Sequence, residues 1–401
     1  MTRILAGTDE LAARLGEAGR PVALVADSSV VGAKVTTRIR DAFLRTGAQV
    51  RTVVLDGPGD SGSIAALGQS LDRAGTTAVV AVGGGSVLDQ AKLATVCMAA
   101  PHVTRHLDAP TRSGLVVLPE GARRALPLAA VATTLGTGAE VSASACVATA
   151  GRKRLVRGEQ LRPDAVLRDE GVLETLPGHL VAEGALEALF RTVSPYIGDD
   201  RPTVGDGEVE AVAARLVELG NSASRSVAKG DGPDGRTLLR IARLAARSHL
   251  PPMHEGRQPF ASRGWYLANE LSTALGVRKT TAVAALLPPL WAATADGDPR
   301  WGSAERLGAI WARVRSSAAG ELPADPAGGI EYLISSWGIR RQLVVDRDSI
   351  ADIAQRTVRS WGGGLPMLAG LDVQAVRDVL AAAVSQRLPC PCGTEEETLT
   401  R

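Results

Sequence analysis

Apolar positions are grouped in two different ways along this chain. Up to about residue 170 they form short runs cut by polar turns; beyond it they recur with helical spacing over longer segments. Residues 20–27, ending on Asp27, read as a strand, with a helix over 31–45 behind it. Residues 49–55 give a second strand, 63–74 a helix, and 77–82 a third strand that is β-branched enough to be buried on both faces. Such βα units, 20–30 residues apart, predict a parallel sheet with right-handed crossovers. Further strands are expected at 115–118, 126–131 and 163–167. Helices are expected over 180–192, 207–219, 234–248, 264–275, 280–293, 303–317, 330–337, 350–358 and 373–383. The α/β part should therefore occupy 1–178 and an all-helical part 179–389. The stretch 390–401 is left as a polar tail containing Cys390 and Cys392.

The strand at 77–82 runs into Gly83-Gly84-Gly85-Ser86, after which helical spacing resumes at 87–99. A strand, a glycine turn and a helix aim backbone N–H groups at a phosphate, and a Cβ would hold the backbone away from it. Taken alone the turn could also be a tight connection without a ligand. A second Gly/Thr-rich loop follows the 126–131 strand: Thr133-Thr134-Leu135-Gly136-Thr137-Gly138-Ala139-Glu140.

Composition narrows the partners. The chain has 401 residues, 45% of them hydrophobic, and a net charge of +2, which argues against a nucleic-acid or anionic-membrane partner. No apolar run is long enough to span a membrane, residues 1–20 lack a signal-peptide core, and four cysteines make no disulfide scaffold. A cytoplasmic protein is expected. Only five of the 45 basic residues are lysine (34, 92, 153, 229 and 279). His102, His106 and His179 are expected in loops, and His249 and His254 have no standard metal-pair spacing.

Three motifs in order, GGGSVLDQAK, PLAAVATTLGTGAEV and LRPDAVLRDEGVLETLP, resemble the iron-containing alcohol dehydrogenase family. The resemblance implies a Rossmann-like N-terminal domain binding NAD(P), an all-helical C-terminal domain, a catalytic divalent metal between them, and a homo-oligomer. By the same resemblance Gly83, Gly84, Gly85 and Ser86 hold the pyrophosphate, with Asp89, Thr133, Thr134, Thr137 and Gly138 in the surrounding cofactor motifs. Asp27 ends a strand where an acid favours NAD over NADP, although it could also simply cap the following helix.

The metal ligands do not carry over. Where the family has Asp-Ala-Leu-x-His, this chain has Glu187-Ala188-Leu189-Phe190-Arg191; the remaining histidine positions fall on Trp265, Asn269 and Lys279. Arg cannot bind a cation and Lys would first have to lose its proton, so no catalytic metal is expected. Glu187, Arg191 and Lys279 then become the candidate catalytic group. Cations there could stabilise an oxyanion or bind a substrate carboxylate, and Lys279 could serve as general base; alternatively the three form a salt bridge that only fills the vacated pocket. The expected activity is an NAD(P)-dependent, metal-independent oxidation of a secondary hydroxyl near a carboxylate, on a small molecule or a peptide. Divergent family members act so in daptide-type peptide biosynthesis, decarboxylating a C-terminal Thr oxidatively. The competing readings are a non-catalytic scaffold or regulatory subunit of a biosynthetic complex, and a lyase of the dehydroquinate-synthase type.

Overall fold

The computed structural model describes residues 2–149, 151–318 and 322–386; Cys390, Cys392 and the tail expectation lie outside them. In chain order the first part contains β1 (Arg3–Leu5), α1 (Thr8–Leu15), β2 (Pro21–Asp27), α2 (Lys34–Arg45), β3 (Gln49–Leu55), α3 (Ser61–Arg73), β4 (Ala78–Gly83) and α4 (Gly85–Ala99). There follow α5 (His102–Asp108), β5 (Leu115–Val117), β6 (Leu128–Ala132), β7 (Ser144–Thr149), β8 (Arg152–Arg157) and β9 (Ala165–Leu167). Six of these strands form one parallel sheet in the order β1-β9-β6-β4-β2-β3. Every residue of β4 is buried, as its unbroken apolar run requires for a central strand, whereas β3 at the edge alternates between exposed and half-buried.

The period-2 alternation sorts β2 between two cores. Val22, Leu24 and Ala26 pack with Val35, Ile39 and Phe43 of α2, while Ala23 and Val25 pack with Ile64, Leu67 and Leu71 of α3. From β2 the chain steps to β3 on one side and returns as β4 on the other. The carboxyl ends of β2 and β4 therefore border the topological switch point, where open α/β sheets bind ligands.

Four local expectations need correction. β1 and α1 carry too short a signal to stand out. β5 leaves the main sheet and pairs with β8 in a separate three-stranded sheet, whose β7–β8 hairpin was not anticipated because polar and apolar residues are mixed along it. His102 and His106 lie on α5 rather than in a loop, because Val103 and Leu107 anchor that turn in the core. His179 stands in the first turn of the next helix, not in a loop.

The second part is helical: α6 (Gly178–Ile197), α7 (Asp206–Ala228), α8 (Gly235–Arg247), α9 (Arg263–Leu275), α10 (Lys279–Ala295), α11 (Ala304–Ser317), α12 (Pro326–Ser336), α13 (Arg347–Trp361) and α14 (Val373–Ala383). Asp234, Ser303, Asp325, Asp346 and Asp372 each accept a hydrogen bond from a first-turn backbone N–H, which is why these helices begin where they do. α6 and α10 are buried along most of their length and share one large apolar core with the other helices. Among the described residues no helix is long and apolar enough to cross a membrane.

Candidate active site

The glycine turn sits at the switch point. Gly83 ends β4 at φ +157°, and a Cβ there would come to 3.0 Å from Asp27 Cβ and 3.1 Å from Val87 Cβ. On Gly84 and Gly85 a Cβ would approach the Thr134 and Thr137 side chains at 3.3 Å. The two loops are further tied by the Thr133 N–H, which donates to the Gly83 carbonyl (3.0 Å). α4 starts at Gly85 with no side chain capping it, so its first N–H groups face the crevice beside Ser86. This cradle of small residues at an uncapped helix end fits a dinucleotide pyrophosphate. Asp27 stands at its border, and its Oδ1 accepts from the Ser29 N–H (2.9 Å) and hydroxyl (2.5 Å). It thus closes the turn after β2 through Oδ1, and Oδ2 takes no part in that turn.

Asp89 and Lys92, one turn apart on α4, point away from that turn and hold the hairpin. Asp89 Oδ2 accepts from the Cys146 N–H (2.9 Å), Lys92 Nζ donates to the Ser144 carbonyl (3.0 Å), and the pair meets at 3.5 Å. Burial raises the Asp89 carboxyl and lowers the Lys92 ammonium, and their contact opposes both shifts. In this structure Asp89 ties β7 to α4.

Opposite the crevice, α6 presents Glu187 and Arg191 on one face, four residues apart. The Arg191 guanidinium donates to Glu187 Oε1 at 3.2 Å, and Lys279 Nζ lies 3.7 Å from the same oxygen. Lys279 opens α10, and its Nζ stands 4.5 Å from the centroid of the Trp265 ring. The group is largely shielded: the Glu187 side chain is 6% exposed and that of Lys279 19%. Arg191 Nε is buried with no hydrogen-bond partner, and Lys279 Nζ donates no hydrogen bond among the described residues. Burial drives the Lys279 ammonium down to about 8, with Glu187 resisting and Arg191 reinforcing the shift.

The structure thus brings all three candidate catalytic residues together and places α6 against the second glycine loop: a Cβ on Gly136 would lie 2.6 Å from the Gly184 carbonyl and 2.9 Å from Glu187 Cβ. The four positions where the sequence resemblance implies metal ligands, Glu187, Arg191, Trp265 and Lys279, hold a carboxylate, a guanidinium, an indole and an ammonium. Two cations already converge on the single carboxylate, so this donor set does not fit a divalent ion. Asn269, at the further histidine position, instead donates to the Lys153 carbonyl (2.9 Å) and pins β8 to α9.

Two contributors escaped the sequence reading. His249 Nε2 lies 2.9 Å from the Thr137 carbonyl, which fixes the proton on Nε2, and a Cβ on Gly138 (φ +57°) would collide with its ring. Burial holds this imidazole neutral. His249 therefore props the second glycine loop, a contact that spacing in sequence does not reveal. Lys153 faces the same side of the hairpin as Cys146, two pairs along the ladder. Of the chain's five lysines, Lys92 is buried beneath the hairpin, while Lys153 on that face of it and Lys279 on α10 are only half-buried; the scarcity of lysine in so arginine-rich a sequence was the available signal. Trp265 and Tyr266, undecided from sequence, divide: Trp265 covers Lys279, whereas Tyr266 is buried and stacks on Trp361 at 4.8 Å.

A family model described as iron-containing alcohol dehydrogenase matches residues 2–170. EutG of Escherichia coli, a probable alcohol dehydrogenase, is 28% identical over 68% of this chain and 64% of its own. The 4-hydroxybutyrate dehydrogenase of Cupriavidus necator is 30% identical over 47% of this chain and 48% of its own. YqhD of Escherichia coli, an NADPH-dependent aldehyde reductase, is 28% identical over 54% of each chain. The matched segments thus span less than two thirds of each relative. A crystal structure of YqhD superposes with a TM-score of 0.79 at 20% identity, covering 95% of this chain and 97% of that one, so the shared fold extends through the helical part. Residues 2–170 are thus similar to iron-containing alcohol dehydrogenases in sequence, and the whole chain shares the two-part fold of the solved structures.

Proposed function

We propose that this chain is an NAD(P)-dependent dehydrogenase that oxidises a secondary hydroxyl near a carboxylate and does so without a catalytic metal. The observation that carries this reading is the cationic pair of Arg191 and Lys279 on one buried carboxylate, at the positions aligned with metal ligands and facing the glycine crevice. The relatives are named as alcohol dehydrogenases or aldehyde reductases, and one of them as acting on a hydroxy acid, which supports both the reaction and the anionic substrate.

Bound NAD+ would accept the hydride. Gly83, Gly84, Gly85 and Ser86 would hold its pyrophosphate, the loop from Thr133 to Gly138 its flank, and Asp27 a ribose hydroxyl. Arg191 offers its remaining donors to the substrate carboxylate in a fork. Lys279, as free amine, takes the hydroxyl proton while the hydride leaves, and the ammonium so formed stabilises charge on the new carbonyl oxygen. Trp265 keeps water from the reacting centre. A hydroxyl β to the carboxylate yields a β-keto acid, which loses CO2 readily, and a peptide ending in Thr presents such a hydroxyl. We assign that peptide class, in specialised metabolism, as the substrate.

The test is incubation with NAD+ and peptides ending in Thr, followed by mass spectrometry. The reading requires a product lacking CO2 and two hydrogens. Unchanged masses for every such peptide and for small β-hydroxy acids would overturn it.

A further inference from the structure

We propose that Lys279 is also a carbonyl nucleophile: its Nζ condenses with the β-keto acid left by oxidation, and the resulting iminium drives loss of CO2. The inference rests on the proposed substrate class for its context and on the geometry of this one amine for its chemistry.

The five lysines separate clearly. Lys34 and Lys229 are exposed. Lys92 is fully buried and committed to the Ser144 carbonyl and Asp89, and Lys153 stands on the hairpin. Lys153 and Lys279 are both half-buried and donate no side-chain hydrogen bond among the described residues, but Lys279 also has a carboxylate, a second cation and an indole face against it and opens a helix. Burial, a neighbouring guanidinium and the positive end of a helix dipole all favour the neutral amine, the form that attacks carbonyls. The same surroundings accept the cation that condensation creates. Glu187 lies 3.7 Å away to balance the iminium charge, and the Trp265 face lies 4.5 Å away to support it, so no rearrangement is needed.

The chemistry balances without a further reagent. After the proton taken during oxidation has passed to solvent, Nζ adds to the ketone carbon and water leaves, giving the iminium. The bond between the α-carbon and the carboxylate breaks; its electron pair forms the enamine as the iminium nitrogen becomes neutral, and CO2 departs. The enamine carbon then takes a proton, and water hydrolyses the regenerated iminium to release the ketone and the free amine. NAD+ in the preceding step is the only oxidant.

The test supplies the β-keto acid ready-made. The full chain is incubated with acetoacetate and cyanoborohydride, without nicotinamide, then digested and mapped by mass spectrometry. The proposal requires an isopropyl group on Lys279, with Lys34 and Lys229 as unlabelled internal controls, and accelerated CO2 release that is lost in Lys279→Arg. Label confined to Lys153 or to the exposed lysines, an adduct on Lys279 that retains its carboxyl, or undiminished CO2 release in the variant would each overturn it. Adduct mapping on the unaltered chain does not depend on how the variant folds. Because oxidation is bypassed, a negative result leaves the dehydrogenase reading standing; a labelled Lys279 in a protein that oxidises no hydroxy acid would overturn only that reading.

Discussion

Two clusters in the helical part have the same composition, one acid and two cations, and opposite character. Around Asp206, Arg306 donates twice (2.8 and 2.9 Å), Arg257 donates once (2.5 Å), and Thr203 adds its N–H and hydroxyl. Both guanidinium groups also lie against the Tyr196 ring. Around Glu187 there is a single hydrogen bond at 3.2 Å and an ammonium at 3.7 Å. Each cluster leaves one buried guanidinium nitrogen without a partner, Arg191 Nε here and an Arg257 Nη there, so the difference lies in how fully the acid is bonded. A cluster that saturates its acid serves the fold, because any change leaves charge uncompensated in a buried site. A cluster whose acid takes one hydrogen bond, beside an ammonium that donates none among the described residues, has capacity for a ligand. This contrast is what favours a working site over a salt bridge that merely fills a vacated pocket.

The contrast breaks most sharply at Lys279. Lys279→Gln should lower kcat by about 10²–10⁴-fold while the thermal midpoint stays near that of the parent, as steady-state rates and calorimetry would check. In the parent, kcat/KM should rise with pH and level off above about 8, because the amine and not the ammonium takes the proton. A flat profile between pH 6 and 10 would remove Lys279 as the base.

Asp206→Asn should do the reverse, destabilising the fold by about 3–5 kcal/mol in chemical denaturation while leaving kcat intact in the folded protein. Burial works to raise the Asp206 carboxyl, but the hydrogen bonds from Arg306 and Arg257 outweigh it and hold the carboxyl well below the usual range. The stabilisation from a lowered acid is complete above its unfolded value of about 4 and disappears as pH falls through the folded one. Acid unfolding of the parent should therefore begin below about pH 4, and the variant should lack this component.

Arg191→Lys keeps the charge and loses the fork, so KM for a hydroxy acid should rise about tenfold with a smaller change in kcat. The smallest effect is expected at Asp27: Asp27→Ser should shift the NAD to NADP affinity ratio by about tenfold toward NADP, read by nicotinamide fluorescence. An unchanged ratio would assign Asp27 only to its turn with Ser29.

The crevice was legible because it is built from contiguous sequence. An apolar run, three glycines and a helix specify their own geometry, so β4, its turn and α4 appear where the pattern puts them. The grouping of Glu187, Arg191 and Lys279 was also anticipated by the motif comparison, and the structure brings these side chains together, with Trp265 over Lys279. The supporting contacts were not. His249 reaches Thr137 across 112 positions, and Asn269 reaches Lys153 across 116. No local pattern encodes such pairings. The β7–β8 hairpin was hidden because Lys153, Leu155 and Arg157 on its cleft face mix charge with apolar character.

Activity after metal removal tests the central claim most directly. The purified chain would be stripped with a strong chelator, its metal content measured, and oxidation of a β-hydroxy acid or a peptide ending in Thr followed with NAD+, before and after adding back Fe2+ or Zn2+. The account predicts the same rate in the stripped and untreated protein and no gain on metal addition. A rate that collapses on stripping and returns with either ion would contradict it and make Glu187 the remnant of a working metal site.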